Sequence, residues 1–188
     1  MTAPTTTPTG TSTFAIDPTH SAVEFSVKHI MISTVKGRFG DLTGTIVLDP
    51  ALPDRSTVEA EIATASIDTR ADQRDTHLRS PDFFDVARFP AITFRSRHVE
   101  GAALAAGDRF RLTGDLTIRD VTRTITLDVT FEGTGRDPWG GERASFSADT
   151  KLDRRDFGLT WNQALETGGV LVGNDIRVHL DIQAVRQD

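Results

Sequence analysis

Alternation between apolar and polar positions is the dominant pattern of this chain. From residue 109 to residue 119 every second residue is apolar or glycine, and the residues between them are Arg, Thr and Asp. The same period recurs in residues 124–131 and 175–185. A period of two predicts β-strands that bury one face and expose the other.

Similar stretches cover most of the remaining sequence. The Gly-containing segments 101–108 and 133–141 predict loops between strands. The pattern as a whole predicts about eight strands with short connections, at residues 23–28, 37–48, 57–67, 91–99, 109–119, 124–131, 144–152 and 175–185.

Two segments depart from strand alternation. Residues 29–36 contain apolar residues without a clean period and predict an irregular or helical excursion. Thr69 and Asp72 have the spacing of a reciprocal helix cap and predict a short helix that ends at Arg79.

Strands with one apolar face each, and no long helices to cover them, must bury those faces against one another. A sandwich and a closed barrel both satisfy this requirement, and periodicity alone leaves the two open. A filled core and a barrel with internal space also stay open. Small residues on the predicted inward faces would leave room inside: Ala60, Gly114, Ala144, Ala148 and Ala184.

Length and local composition predict one domain. The chain has 188 residues, and residues 1–12 are mostly Thr, Pro and Gly, which predicts a disordered tail followed by a folded domain over residues 13–188. The tail has neither a basic start nor an apolar run, and no window is long and apolar enough for a membrane span. We therefore expect a soluble, cytoplasmic protein without a transmembrane segment.

Charge and residue usage exclude several kinds of chemistry. A net charge of -6 argues against a nucleic-acid-binding surface, because such surfaces cluster Lys and Arg. The absence of cysteine excludes disulfides and thiol catalysis. The five histidines form no pair at metal-ligand spacing, so no metal site is expected. Asp17, His20 and Ser21 are neighbours on one predicted turn, and we interpret them as hydrogen-bonding that turn rather than as a hydrolase triad.

Two polar groups have both a structural and a functional interpretation. Arg155 and its neighbour Arg154 lie beside aspartates. One interpretation is that they form surface ion pairs, and the other is that one of the arginines binds an anionic headgroup. Arg74 and His77 lie on the predicted helix and lock a plug at one end of the fold or contact a ligand there. The plug itself would be apolar: Leu78, Phe83 and Phe84.

The polar and glycine positions taken together resemble those of the YceI-like family of lipocalin-like, polyisoprenoid-binding proteins. The resemblance runs from about residue 14 to residue 185 and depends on the order and spacing of many positions rather than on one motif. Its opening part is Asp17, His20, Ser21, Val23, Phe25, Val27, His29, Val35, Gly37, Phe39 and Gly44. Its central and late parts are residues 66–69, Arg74, Asp75, residues 77–80, residues 82–85, Phe89, Pro90, Ile92, Phe94, Ser96, Gly114, residues 116–118, Arg155, Phe157 and Gly158.

The resemblance implies an all-β fold: an extended eight-stranded antiparallel lipocalin-like barrel with one short helix capping an end. It implies an apolar lumen that holds a long isoprenoid, an isoprenoid quinone or a fatty-chain derivative, without catalysis and without a cofactor. Many relatives are exported, whereas no signal peptide is recognisable here, so an intracellular carrier or sequestering protein is expected. A homodimer through an exposed strand edge is a further expectation.

The inward register then gives the predicted lumen residues: Val23, Phe25, Val27, Ile46, Ile62, Phe94, Leu112, Leu116, Leu127, Val129, Phe146, Val178 and Leu180. The predicted headgroup or plug residues are His29, Arg74, His77 and Arg155. Two alternatives stay open. One is an enzyme that acts on a lipid-like substrate with His77 or His29 as general base. The other is a structural or signalling protein whose barrel is filled by its own side chains.

Overall fold

The computed structural model describes residues 10–102, 104–166 and 168–187. Within them the chain forms mostly strands, one α-helix and three short 3-10 turns, at Pro53–Arg55, Thr64–Ser66 and Arg154–Phe157. The elements are β1 (Ser12–Ile16), β2 (Ala22–His29), β3 (Ser33–Phe39), β4 (Leu42–Leu48), β5 (Thr57–Ala63), β6 (Ile67–Asp68), α1 (Asp72–Arg79), β7 (Ala91–Glu100), β8 (Arg109–Ile118), β9 (Val121–Arg136), β10 (Glu142–Asp153) and β11 (Val172–Arg186).

Eight strands close into an antiparallel barrel. They pair in the order β1, β4, β5, β7, β8, β9, β10 and β11, and β11 pairs back to β1. The barrel with one short helix is therefore confirmed, and the sandwich alternative is wrong. Closure leaves no unpaired edge within this ring, which is how a sheet of this size buries all its apolar faces.

The remaining strands extend the wall beyond the ring. β11 is long enough to pair with β1 through residues 184–186 and with β2 through residues 176–181. β3 pairs with β2, and the two-residue β6 pairs with β3. The β2–β3 hairpin therefore projects past the barrel on one side.

The barrel has two distinct ends. The connections 49–56, 101–108 and 137–141 lie at one end, which we call the loop end, together with the start of β1 and the finish of β11. The β2–β3 turn, the β5–β7 connection with α1, and residues 154–171 lie at the other, which we call the helix end.

Two loop predictions and one strand prediction are wrong. Residues 37–48 are not one strand: β3 ends at Phe39 and β4 begins at Leu42, and the two strands pair with different partners. Residues 29–36 are not an irregular excursion but a tight β2–β3 hairpin, in which His29 pairs with Ser33. Residues 133–136 are not loop but continue β9 against β10. The pairing shifts by one residue at Glu132, opposite the step from Ser145 to Phe146, and this bulge lets the strand continue. Only residues 137–141 turn.

The short helix begins later than the sequence predicts. α1 starts at Asp72, and the residue before it, Ala71, makes no side-chain cap. Thr69 does not cap the helix because its main-chain N–H and its hydroxyl both donate to the buried carboxylate of Asp75. The predicted end at Arg79 is confirmed.

The inward faces form one continuous apolar core. Ala144 and Ala184 are directly paired and fully buried, so two long strands approach closely there. Phe131 and Phe146 pack with ring centroids 5.2 Å apart on neighbouring strands. The core thus follows the inward register of the barrel, as the period-two pattern predicts.

The predicted tail lies mostly outside the described residues. Of its last three residues, Gly10 and Thr11 are exposed and precede the first strand, whereas Ser12 is buried and begins β1. Among the described residues, no helix has both the length and the apolar character needed to cross a membrane.

Candidate ligand-binding cavity

The barrel encloses an apolar cavity of about 150 Å³. Every strand of the closed ring contributes to its wall, and among the described lining residues only Ser56 and Thr150 are polar. Such a cavity favours an apolar molecule, because a polar one would lose its hydrogen bonds to water without replacement.

Most of the predicted lumen residues surround this cavity. They are Val23, Ile46, Ile62, Phe94, Leu112, Leu116, Leu127, Val129, Phe146, Val178 and Leu180. Their contact with a ligand stays a prediction.

Phe25 and Val27 share the face of Val23 but do not line the cavity. The Phe25 ring packs 5.7 Å from that of Phe39 and lies over Gly37. Val27 is half-buried further along β2, opposite Val35. Both lie nearer the hairpin tip than Val23, and the packing of Phe25 on Phe39 and Gly37 depends on the β2–β3 pairing, which periodicity does not reveal.

Gly114 does not provide ligand space. A side-chain carbon added there would lie 2.4 Å from the Phe94 ring, so that ring already fills the gap. Ala60 and Ala148, by contrast, do line the cavity. The prediction that small inward residues leave room therefore holds at these two alanines and is wrong at Gly114. It is wrong as well at Ala144 and Ala184, which are paired, fully buried and not part of the cavity wall.

The cavity reaches the loop end, which the sequence reasoning missed. Pro53 and Ser56 from the β4–β5 connection and Ala102 and Leu104 from the β7–β8 connection line it. Leu104 is half-buried against the core and has a left-handed backbone with φ of 56°. The signal was the apolar content of segment 101–108, which we read only as a hairpin loop.

Aromatic side chains cover the helix end. The rings of Phe39 and Phe84 meet edge to face with centroids 5.7 Å apart. Phe83, which precedes Phe84 in the chain, is buried. Phe157 and Leu159, from the segment after β10, are also buried. With the half-buried Leu78, these residues form the apolar plug that the sequence predicts for one end.

Arg74 and His77 do not line the cavity. Arg74 donates to the hydroxyl and the main-chain carbonyl of Thr69. The His77 ring lies 2.8 Å from an Asp82 carboxylate oxygen and packs edge-on against Phe83 and Trp161, with centroids 5.1 and 4.6 Å away. His77 thus contacts a plug residue, Phe83, whereas the hydrogen bonds of Arg74 go to Thr69. The role of either residue as a lock or as a ligand contact stays a prediction.

Arg155 lies on the surface. Its guanidinium forms an ion pair with Asp153, and these hydrogen bonds, first from the side chain and then from the main chain of Arg155, lower the pKa of Asp153 to about 2. The neighbouring Arg154 is buried instead and donates to main-chain carbonyls of Leu159, Trp161 and Gly173. Burial lowers the pKa of Arg154, and its role is to hold residues 154–173 together.

His29 is the last residue of β2, and its carbonyl accepts hydrogen bonds within the hairpin turn. It does not line the cavity. None of the four predicted headgroup or plug residues is therefore among the described residues that line the lumen.

Asp17 and His20 hydrogen-bond within the β1–β2 turn. The Asp17 carboxylate accepts from Thr19 and lies 2.8 Å from the His20 ring. Ser21 points elsewhere, donating to the carbonyl of Gln183 on β11. This separation argues against a triad, because a triad needs serine and histidine in contact. The interpretation as turn hydrogen bonding is confirmed for Asp17 and His20 and is wrong for Ser21, which joins the turn to β11.

A larger groove of about 810 Å³ crosses the outer face of β9, β10, β11, β2, β3 and β6. It contains oppositely charged pairs: Arg38 pairs with Asp68 at 3.4 Å, and the His179 ring lies 2.8 Å from a carboxylate oxygen of Asp149. Among the described residues no three His, Asp or Glu side chains are grouped so that they could hold a metal ion. The lumen, with its almost wholly apolar wall, is therefore the candidate ligand site.

Comparison with known proteins agrees with this architecture. The model of the YceI-like domain matches residues 14–184. The chain belongs to the YceI-like family. The resemblance noted in the sequence is thereby confirmed over almost its full extent.

Curated YceI-like relatives match most of the chain. The Protein YceI of Salmonella newport is 41% identical over 141 residues, which cover 75% of this chain and 72% of that protein. A UPF0312 protein of Pseudomonas savastanoi pv. phaseolicola is 41% identical over 140 residues, covering 74% and 71%.

Solved structures show the same fold. A YceI protein of Campylobacter jejuni superposes with a TM-score of 0.70 at 31% identity, covering 86% of this chain and 90% of that one. BcnA of Burkholderia cenocepacia gives a TM-score of 0.76 at 23% identity, covering 89% and 98%. A domain from Saccharophagus degradans, described as polyisoprenoid binding, gives 0.69 at 16% identity, covering 93% and 98%.

Proposed function

We propose that this YceI-like protein binds a long-chain amphiphile, such as a polyisoprenoid, an isoprenoid quinone or a fatty-acid derivative, in its barrel lumen, and carries or sequesters it without catalysis. The observation that carries this proposal is the almost wholly apolar wall of the cavity. A domain with the same fold is described as polyisoprenoid binding, which makes isoprenoids the first ligands to test.

The cavity must expand to take such a ligand. A volume of about 150 Å³ is that of a site for a molecule the size of benzene. Leu104 is the side chain best placed to withdraw, because it enters the cavity from a connection rather than from a strand of the ring. We expect the bound protein to have this side chain displaced toward the loop end.

Apolar burial is sufficient for tight binding. Enclosing roughly 400 Å² of apolar ligand surface contributes about 10 kcal/mol at about 25 cal/mol per Å². Fixing a flexible chain subtracts several kcal/mol, which leaves micromolar or tighter affinity without an ionic contact.

A histidine-dependent reaction on a lipid-like substrate has less support. His77 and His29 are not among the residues that line the cavity. A general base must come within hydrogen-bonding distance of the proton that it removes, and the lumen offers neither ring to an enclosed chain.

The test is to extract the purified protein with organic solvent, identify lipids by mass spectrometry, and titrate the delipidated protein with a polyprenol, an isoprenoid quinone and a fatty acid. We expect a co-purified chain, or saturable uptake of at least one of the three with a stoichiometry near one. A protein that contains no lipid and takes up none of them refutes the proposal.

Leu116 and its neighbour Thr117 provide a matched pair of variants on β8. Leu116 lines the cavity, whereas Thr117 faces outward and hydrogen-bonds Thr122. Leu116→Arg is expected to abolish uptake, and Thr117→Arg to leave it within about twofold. If Leu116→Arg does not fold, Ala148→Leu tests the same point by filling the lumen. Unchanged uptake in a folded Leu116→Arg or Ala148→Leu protein would place the ligand elsewhere.

A further inference from the structure

Exposed apolar side chains stand at the tips of the connections at the loop end. Trp139, in the β9–β10 turn, is 88% exposed, and Leu52, in the β4–β5 connection, is 48% exposed. The β7–β8 connection adds the exposed Ala105 and Ala106 beside the half-buried Leu104. Large apolar side chains left in water at one end of a fold favour contact with another apolar phase.

An aspartate fixes each of these three connections. Asp49 accepts a hydrogen bond from the main-chain N–H of Leu52 at 2.9 Å, and Asp137 accepts one from Trp139 at 3.0 Å. Asp108 accepts one from Ala105 at 2.7 Å. The backbone that carries the apolar side chains is therefore held in a defined shape, while the side chains themselves project away from the core.

Two of these three connections, β4–β5 and β7–β8, border the lumen. Pro53 lies next to Leu52, and Leu104 lies next to Ala105; Pro53 and Leu104 both line the cavity. The exposed apolar surface is thus continuous with the apolar interior. At the helix end the aromatic plug, including Phe39 and Phe84, lies between the lumen and solvent.

We propose that the loop end, through Leu52, Leu104 and Trp139, docks on a lipid bilayer and that the lumen ligand passes between bilayer and barrel at this end. The inference depends on the proposed function, because a long-chain amphiphile resides in membranes and needs an apolar path into the protein. Trp suits the interface between headgroups and acyl chains, where its ring is buried and its N–H stays hydrated.

Charge at the loop end favours an uncharged or zwitterionic bilayer. Asp49, Asp54 and Asp108 lie there with the cations Arg55 and Arg136, and Asp137 is paired with Arg143 at 3.0 Å. Acidic groups next to the docking residues oppose approach to anionic lipid. We therefore expect docking through apolar insertion, with little dependence on salt and weaker binding as anionic lipid increases.

The helix end offers a competing apolar surface. Ile30, Met31 and Ile32 form the tip of the β2–β3 hairpin and are 39%, 60% and 83% exposed. None of the three lines the cavity. This tip is the natural control, since docking there would leave the loop end in water.

The two tryptophans of the chain report on the two ends separately. Trp139 lies at the loop end, and Trp161 packs against His77 and Phe83 at the helix end. The chain has no tyrosine, so no other phenol or indole contributes to the emission. Trp161→Phe and Trp139→Phe therefore provide single-tryptophan proteins with one probe at each end.

The experiment mixes each single-tryptophan protein with phosphatidylcholine vesicles whose acyl chains carry bromine as a quencher. We expect Trp139 emission to shift to the blue and to be quenched, and Trp161 emission to stay unchanged. Quenching of Trp161 without Trp139, or no vesicle binding by either protein, overturns the proposal. Binding that requires anionic lipid and disappears with salt overturns it as well.

Paired substitutions separate this proposal from the proposed function. The double change Leu52→Ser and Trp139→Ser is expected to weaken vesicle partitioning at least about tenfold, since each side chain loses part of its apolar burial. Met31→Ser with Ile32→Ser should leave partitioning unchanged. Both proteins should bind a polyprenol added from ethanol, without vesicles, as the parent does. Normal uptake with absent docking refutes only the docking proposal, and docking with absent uptake refutes the proposed function.

Discussion

Two strand glycines, Gly114 and Gly37, are each covered by an aromatic ring from the neighbouring strand. At Gly114 an added side-chain carbon would lie 2.4 Å from the Phe94 ring and 2.6 Å from the carbonyl oxygen of Arg95. At Gly37 the nearest atom would be in the Phe25 ring, also at 2.4 Å. A ring that covers a glycine fills the space of the missing side chain and keeps the sheet face apolar.

Gly114→Ala is expected to destabilise the protein by about 1–3 kcal/mol, because the added methyl group overpacks the Phe94 ring and the Arg95 carbonyl. Gly135→Ala on β9 is the control, since nothing lies within 4 Å of the added carbon there. Denaturant unfolding of both variants measures the difference. Equal stability of the two variants contradicts this account, and Phe94→Leu in the Gly114→Ala background should recover part of the loss.

Buried Arg154 shows how a single side chain can organise a long connection. Its guanidinium donates to the carbonyls of Leu159 and Trp161, near the start of the connection from the last 3-10 turn to β11, and to that of Gly173 at its end. Main-chain carbonyls inside a fold need a donor, and here one arginine supplies several. Its neighbour Arg155 has the same residue type but pairs with Asp153 at the surface.

At the scale of elements, α1 and its flanking segment are held to the barrel by hydrogen bonds more than by helix signals. Asp75 is 5% exposed and accepts from the main-chain N–H and the hydroxyl of Thr69. Arg79 donates to the carbonyls of Ala65 and Ile67. An eight-residue helix without a side-chain cap depends on such contacts, because short helices are marginal in isolation.

Asp75→Ala is expected to cost about 1–3 kcal/mol, because it leaves the buried N–H of Thr69 without its acceptor. The effect should be local, so hydrogen exchange of residues 67–79 should increase more than that of β8 and β9. Asp72→Ala, at the exposed start of the same helix, should change exchange little. Uniform acceleration across the barrel would show instead that α1 is part of one cooperative unit with the strands.

At the scale of the whole molecule, one polar cluster joins parts of the chain that are far apart in sequence. Arg143 on β10 donates to Asp17 in the β1–β2 turn at 2.7 Å, to Asp137 at 3.0 Å and to Gln183 on β11 at 2.8 Å. The cluster lies where β1 meets β11 and closes the barrel. Hydrogen bonds from Thr19 first, and then from Arg143, hold the pKa of Asp17 far below its usual 3.8.

Removal of this cluster should make the barrel less stable at neutral pH and alter its acid unfolding. A lowered folded-state pKa stabilises the protein above the unfolded value of 3.8, and this contribution is lost as the pH falls below 3.8 toward the folded pKa. Arg143→Met should therefore lower the thermal midpoint at pH 7, with the deficit shrinking below pH 3.8.

Lys151→Met is the control for that measurement. Lys151 pairs with Asp175 on the surface, where both side chains are more than half exposed, and such pairs contribute little. Thermal melts of both variants between pH 2 and pH 7 decide the matter. A deficit for Arg143→Met that stays constant below pH 3.8 would show that its contribution is packing rather than charge.

The alternation of side chains by itself determined most of the strands and most of the cavity wall, but not the β2–β3 hairpin or the break between β3 and β4. Leu112, Leu116 and Leu127 lie on the inward face, as the period of two predicts, because that period fixes the two faces of a strand whatever strand it pairs with. Polar and glycine positions then indicated the family, and hence the barrel, because their order and spacing recur in its members.

Only the tertiary structure decided which stretches of wall surround the lumen and where the lumen opens. Phe25 and Val27 have the correct face but lie further toward the hairpin tip than Val23, and the Phe25 ring packs on Phe39 instead of lining the cavity. Ile30 and Met31 turn the hairpin at positive φ, a conformation that apolar residues seldom adopt. Gly114 faces inward, yet Phe94 fills its space. These outcomes depend on strand pairing between residues distant in the chain, which local periodicity does not encode.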